Sequence, residues 1–466
     1  MKKSKAFTFF CLISSLIFVS SCDNSKSLRL QKIQEFNQEH LAIQKPNIDI
    51  NSFVFDTNLT ESLCQENQRS ELRNYLTQKE AVEDVINLFN QLECNYGMYP
   101  YYGKERFDNA KEKMIEEIVT IESKLDVSEL RNMYKFYLSF IKDQHFTIDK
   151  QSLHEKKAIY YSENIVMNKD ELGYYLVPTK EYVMQLESDI VEINLDQNVK
   201  RVLNENGEII YQLVVIGEKP ETFNIILENN KKINVELTRY QESHINKYNI
   251  FQFDEINDIP IYRIAEFIES DNQVMLDFIS TTSKIIGKDL VILDLRNNIG
   301  GHTDIVNQWM IEMFKEPPYG TYIELMRFGV RQAAWSMKYL QLFKKSGYLQ
   351  FDDNHLIKYP RTDVIKNDTI FIVLMNNRTS SASEVFIDYL HTIENTVFIG
   401  VNSAGNIISN RAYQFYTKNS DIKFTYGSSM RFFDDSYFNE YEGFEPDIYY
   451  FGEGNVEKLI IKYINN

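Results

Sequence analysis

The chain is poor in cysteine, in proline and in positive charge. Four cysteines and nine prolines stand among 466 residues, and 50 Lys and Arg face 67 Asp and Glu, a formal charge of −17. The acidic balance excludes nucleic acid as a main partner, because phosphate binding needs clustered Lys and Arg. HExxH, P-loop and GxGxxG sequences are all missing, and no cysteine pair has CxxC or metal-ligand spacing. Metal, nucleotide and other cofactor chemistry therefore has no warrant, and the cofactor expectation is none. Apolar residues, by contrast, make up 43% of the chain, ample for burial, and the length calls for two or three domains.

The first residues read as an address. Lys2, Lys3 and Lys5 precede the run "AFTFFCLISSLIFV", too short and wrongly flanked for a membrane span but suited to a secretory signal. The run ends in "VSSC" at Cys22, which resembles the lipobox of bacterial lipoproteins, where the cysteine takes the lipid. The resemblance implies a soluble domain held to a membrane in the bacterial envelope, on its extracytoplasmic side. With Cys11 in the signal and Cys22 lipidated, Cys64 and Cys94 are left, free to pair as a disulfide in an oxidising compartment.

Organisation follows from periodicity. Residues 1–22 are the signal and the polar stretch 23–51 a tether that turns helical near its end. Within 52–146, "LRNYLTQKEAVEDVINLFNQL", "RFDNAKEKMIEEIVTIESKL" and "VSELRNMYKFYLSFIKD" space apolar residues by three and four, which predicts a small helical bundle. Within 147–255 the period shifts towards two, in "EIIYQLVVIG", "TFNIILE" and "KINVELTRY", which predicts a β-rich module. From 256 to 466 the pattern is α/β. "LVILDL" runs into "RNNIGG" and a helix, and "TIFIVLM" into "NNRTS", the helix "SASEVFIDYLHTI" and the strand "VFIGV", a βαβ crossover. The aromatics between Pro317 and Asn367 read as packed core, with a lid or cleft wall as the alternative.

Sites in open α/β sheets form beyond the carboxyl ends of the strands, where both "RNNIGG" and "RTSSASE" fall. Ser381 stands just before a helix whose free N–H groups favour an oxyanion. Taken alone, Ser380, Ser381 and Ser383 read first as a polar turn with Ser383 or Thr379 as the cap and Glu384 in the first turn.

Four segments in order, "DLRNNIGG", "VLMNNRTSSASE", "FIGVNSAGN" and "EGFEPDI", resemble the motif series of the S41 family of serine peptidases, which includes tail-specific and tricorn-like proteases. The resemblance covers roughly Tyr262 to Tyr450. It implies a ClpP/crotonase-like βαβ catalytic core, and an enzyme that hydrolyses peptide bonds in peptides or unfolded proteins through an acyl-enzyme. It also implies Ser381 as nucleophile, three residues before Glu384. In the processing-protease branch a lysine is the base and a glutamine supports it; this chain has Asn406 and Asn410 at those places, so a Ser–Lys dyad is disfavoured. The other branch uses a histidine in a D-G-H-T-like motif, which here is Asp143, Gln144, His145, Phe146, Thr147. His145 becomes the expected base, with an ordinary pKa near the operating pH. Its expected orienter is Glu440, three residues before Gly443, with Glu442 as the neighbour that could take its place. The expected oxyanion donors are the amides of Gly301 and Ala382, while His302 faces solvent or caps the next helix. The resemblance offers the PDZ module of some relatives as the counterpart of the β-rich region, which shows no clear glycine-containing carboxylate-binding loop. A second reading, a catalytically inactive scaffold that binds peptides or proteins in the envelope, draws on Gln144, Asn406 and Asn410 and is opposed by the retention of Ser381, His145 and Glu440.

Overall fold

Five apolar runs form the parallel centre of one long sheet. In the computed structural model, which describes residues 26–36, 46–53, 73–189, 193–242, 249–327, 347–351, 355–361, 363–452 and 454–465, the strands Ile259–Ile264, Leu290–Asp294, Ile370–Met375, Thr396–Gly400 and Ile448–Tyr449 lie side by side in that order. Every residue of the middle three is buried, because both faces of the sheet are covered. One face meets the helices Thr303–Phe314 and Ala382–His391, through Trp309, Val385 and Phe386. The other meets the C-terminal helix Val456–Asn465 through Ile460 and Ile464. Asp294, the one charged residue of its strand, is buried and accepts from Arg296 Nε at 2.8 Å and Nη2 at 2.6 Å.

The β-rich region is not set apart from this sheet. Tyr449 pairs in parallel with Val202, and through the strand Val199–Leu203 the sheet continues antiparallel into Ile209–Gly217, Ala158–Tyr161 and Thr238–Arg239. A small three-stranded sheet, Lys232–Asn234, Phe223–Leu227 and Val183–Ser188, supports a local core beside it. The boundary expected between 255 and 256 falls inside a hairpin: Phe251–Ile256 pairs antiparallel with Ile259–Ile264 across Asn257 and Asp258. Both turn residues have positive φ, 51° and 63°, the geometry a tight two-residue hairpin favours.

The three expected helices are present, as Gln78–Asn95, Lys104–Val119 and Val127–Tyr137. The first begins only after Tyr75–Leu76, which pairs with Leu125–Asp126. Thr77 caps it, with the Glu80 carboxylate accepting the Thr77 amide at 2.8 Å in return. These helices share one core with a second, seven-stranded sheet, five of whose strands come from the C-terminal half and two, Thr147–Ile148 and Gln151–Ser152, from the segment after the helices: Val85, Leu88 and Phe89 sit with Phe415, Phe424 and Ile148. Buried Asp84 ties the layers by accepting from the Ser420 N–H at 2.8 Å and its hydroxyl at 2.6 Å. Residues 26–36, expected as tether, are helical, and Ile33 and Phe36 are buried against the main sheet; two apolar residues at helical spacing were hidden in a polar run. Cys94 is buried and disulfide-bonded, while Cys22 and Cys64 lie outside the described residues. Phe328, Trp335, Tyr339 and Phe343 of the aromatic stretch also lie outside them, and Tyr322 and Tyr348 are core.

Candidate active site

Ser381 stands at the turn from the strand Ile370–Met375 into the helix Ala382–His391, with φ 57° and ψ −117°. A serine held at positive φ is strained by about 1–3 kcal/mol and persists only where its surroundings enforce it. The enforcing group is Glu384, which the sequence suggested only as a favourable first-turn acid. Its buried carboxylate accepts the Ser381 N–H at 2.9 Å, the Ser403 hydroxyl at 2.6 Å, and the Gly405 and Asn406 amides at 2.7 and 2.9 Å. It thereby fastens the serine turn to the loop after Thr396–Gly400. Burial pushes the Glu384 pKa up against the pull of these four donors.

The Ser381 hydroxyl lies 3.4 Å from His145 Nε2. His145 arrives from the helical region, on the connection between Val127–Tyr137 and the short strand Thr147–Ile148 that pairs with Lys423–Phe432. Buried Ile141 and Phe146 pin that connection on either side of it. Asp143 turns it: its buried carboxylate accepts the His145 N–H at 2.9 Å, the Ser409 hydroxyl at 2.9 Å and the Tyr96 hydroxyl at 3.0 Å. Gln144, the departure from D-G-H-T, donates from Nε2 to the carbonyls of Ala404 and Gly405 at 3.1 and 2.6 Å. The longer side chain clamps the histidine segment to the same loop that Glu384 holds.

Glu440, the expected orienter, makes no hydrogen bond to His145. Its carboxylate accepts the backbone amides of Gln144, Ile407 and Ile408 at 3.0, 3.2 and 3.2 Å, so it holds the backbone beside the histidine rather than the ring. Burial, with Asp143 nearby, raises its pKa well above the ordinary carboxylate value. Glu442 is at the surface on Lys157. Among the described residues His145 Nδ1 has no hydrogen-bond partner, and Asp143 Oδ1 stands 4.0 Å from it. Burial, helped by the Arg431 guanidinium, lowers the His145 pKa to about 4, below the near-neutral value expected for an ordinary histidine. Burial raises Asp143 to about 6. At neutral pH the ring is thus uncharged beside a carboxylate.

Gly300 and Gly301 bring the other loop close. A Cβ on Gly300 would meet Ser380 O at 2.6 Å, Ser381 Cβ at 2.7 Å and Ala382 N at 2.9 Å, and one on Gly301 would meet Phe267 O at 2.0 Å. Both have positive φ, 93° and 124°. Among the described residues neither the Gly301 nor the Ala382 N–H donates to a protein acceptor. The remaining serines are structural: Ser383 is buried, accepts the Ser380 N–H at 2.9 Å and donates to Ser380 O at 2.6 Å and Asn298 O at 2.8 Å. Asn406 donates to Ser380 Oγ at 3.3 Å, not to Ser381, and Asn410 accepts the amide of Arg411 at 2.7 Å. His302 is at the N-terminus of Thr303–Phe314 with its side chain 54% exposed. Among the described residues no cluster of His, Cys, Asp and Glu could hold a metal ion.

Residues 258–450 match the model of peptidase family S41. The match spans 193 of the 466 residues, and it is this segment that is similar to peptidase family S41, a family of serine peptidases. No curated protein sequence matches it. Among solved structures it is similar to mature CPAF, at 12% identity and TM-score 0.43 over 80% of this chain and 93% of that one. The photosystem II D1 C-terminal processing protease gives 12% and 0.40 over 83% and 97%. A lipoprotein from Streptococcus agalactiae gives 12% and 0.38 over 83% and 97%.

Proposed function

We propose that the chain is a lipid-anchored serine endopeptidase of the envelope that cleaves peptides or unfolded proteins through an acyl-enzyme on Ser381, with His145 as general base. The observation that carries it is the contact of Ser381 Oγ with His145 Nε2 at a strained turn. The separation is long for a hydrogen bond, as is common before substrate closes on such a site. Ser381 Oγ attacks the scissile carbonyl as His145 Nε2 takes its proton. The oxyanion lodges on the unpaired N–H groups of Ala382 and Gly301. His145 then protonates the departing amine, and water, deprotonated by the same nitrogen, releases the acyl group.

The carboxylate partner in this scheme is Asp143. It stands beside the otherwise unpartnered Nδ1 and is ionised at neutral pH, so it favours the imidazolium that forms in the transition state. Glu440 serves one step further out, through the amide of Gln144. The catalytic half would be of the ClpP/crotonase-like type, supported by its parallel crossovers, and the N-terminal helices its roof rather than an independent bundle. The lipid anchor rests on the lysines, apolar run and Cys22 of the first residues. A fluorophosphonate probe tests the site: the wild type is expected to be labelled at Ser381, and Ser381→Ala to lose both label and hydrolysis while keeping its thermal midpoint. Labelling of Ser381→Ala at the wild-type rate would sink the assignment.

A further inference from the structure

The loop that leads into Ser381 is held by two side chains from outside the catalytic strands. Lys156 Nζ donates to the carbonyl of Asn377, and Asn376 Nδ2 donates to Glu242. Lys156 lies just before the strand Ala158–Tyr161 and Glu242 just after Thr238–Arg239, and these strands pair with each other. Both side chains therefore come from one edge of the β-rich region.

What they grip is the junction of the two catalytic loops. Asn376 Oδ1 accepts the amides of Asn297 at 2.9 Å and Arg378 at 3.2 Å, and its Nδ2 also meets Asn297 Oδ1 at 3.2 Å. One side chain thus ties the loop that carries Gly301 to the loop that carries Ser381. It does so in only one amide orientation. Flipped, its NH2 would oppose two N–H donors and its oxygen would oppose the Glu242 carboxylate. Glu242 selects the working orientation, and Lys156 fixes the next peptide.

We propose that Lys156 and Glu242 are positioning residues for hydrolysis, holding Asn376 and the Asn377 peptide so that Ser381 and the Gly301 amide stay in register. The inference rests on Ser381 as the nucleophile. Burial raises Glu242 to about 7 and lowers Lys156 to about 8, and Arg378, Arg296 and Lys156 draw the Glu242 value back down. Each charge of the pair steadies the other.

The test compares wild type, Glu242→Ala, Glu242→Gln and Lys156→Met as full soluble domains of equal thermal midpoint. It follows fluorophosphonate labelling, kcat and KM on an unfolded protein substrate, and amide exchange across 295–301 and 376–382. Glu242→Ala and Lys156→Met are expected to slow labelling and kcat about tenfold to a hundredfold, as misplacement of reacting groups does, with KM little changed and exchange faster in both loops. Glu242→Gln, which keeps an acceptor for Asn376, is expected to recover most of the rate. Unchanged exchange in both loops overturns the clamp whatever the label does, and so does Glu242→Gln as slow as Glu242→Ala. If the wild type takes no label while exchange still quickens in the variants, the nucleophile reading fails and the clamp stands.

Discussion

Replacing Glu384 by Gln separates two accounts of the serine turn. Each carboxylate oxygen serves two donors: Oε1 takes the Ser403 hydroxyl and the Gly405 N–H, Oε2 the N–H groups of Ser381 and Asn406. A glutamine keeps one oxygen. Turned so that its NH2 faces Ser381 and Asn406, it would orphan two backbone donors; turned the other way it orphans the Gly405 N–H, while the Ser403 hydroxyl can rotate to accept. The second arrangement wins, and one orphaned buried donor costs about 1–3 kcal/mol. Glu384→Ala removes the acceptor from three backbone amides at once, about 3–9 kcal/mol on the same scale, comparable to the whole stability of a typical domain. Urea unfolding of Glu384→Gln beside wild type, with fluorophosphonate labelling of both, is the assay. The expected outcome is lower stability by that amount, with labelling reduced but present, and little folded protein from Glu384→Ala. If Glu384→Gln matches wild type in both measurements, burial has already protonated the native carboxyl, and the four-donor account of the turn is wrong.

Other substitutions probe the surroundings. Ser383→Ala should cost about 1–3 kcal/mol in the same unfolding assay, because it leaves the Ser380 N–H and nearby carbonyls short of a partner, and should leave the chemistry of Ser381 in place. Gly300→Ala sets a Cβ against Ser380 O, Ser381 Cβ and Ala382 N at a positive φ. It should abolish labelling and lower the thermal midpoint, and normal labelling would show that the two loops are not held at this distance. In pH profiles of labelling, His145 stays neutral down to about 4 and Asp143 ionised down to about 6. Activity should therefore begin to fall as Asp143 protonates and vanish only as His145 does, the pair titrating jointly between those values. A single acid limb at the ordinary histidine value near 6.5 would contradict the burial of the ring.

Part of the candidate site's geometry was legible in the chain, and the places where the structure differs from expectation share a cause. Ser381 and His145 were placed by motif order, and the structure brings them together. Glu440 was chosen by counting along the chain, which ranks carboxylates by position and is blind to which way each one faces. Asp143 was in plain view as the first letter of its motif, yet its seat beside Nδ1 depends on a turn pinned by Ser409 and Tyr96 from distant segments. Glu384 looked like a first-turn acid because the donors that make it a hub, Ser403, Gly405 and Asn406, arrive from the loop after the next strand.

By itself the sequence determined the local form of most elements and which of their apolar faces would be buried. Periods of two and of three to four, the unbroken runs "LVILDL" and "TIFIVLM", and the Thr77 and Glu80 cap are properties of neighbours along the chain, set by short-range sterics and hydrogen bonding. Only the tertiary structure decided what each element would join. The sheet runs on from Tyr449 into Val202, the helices share a core with Phe415 and Phe424, and the β-rich edge presents Lys156 and Glu242 to the loop before Ser381. Such pairings are chosen by the free energy of closing long loops and burying shared surface, and the residues that make them carry no local mark of their partners.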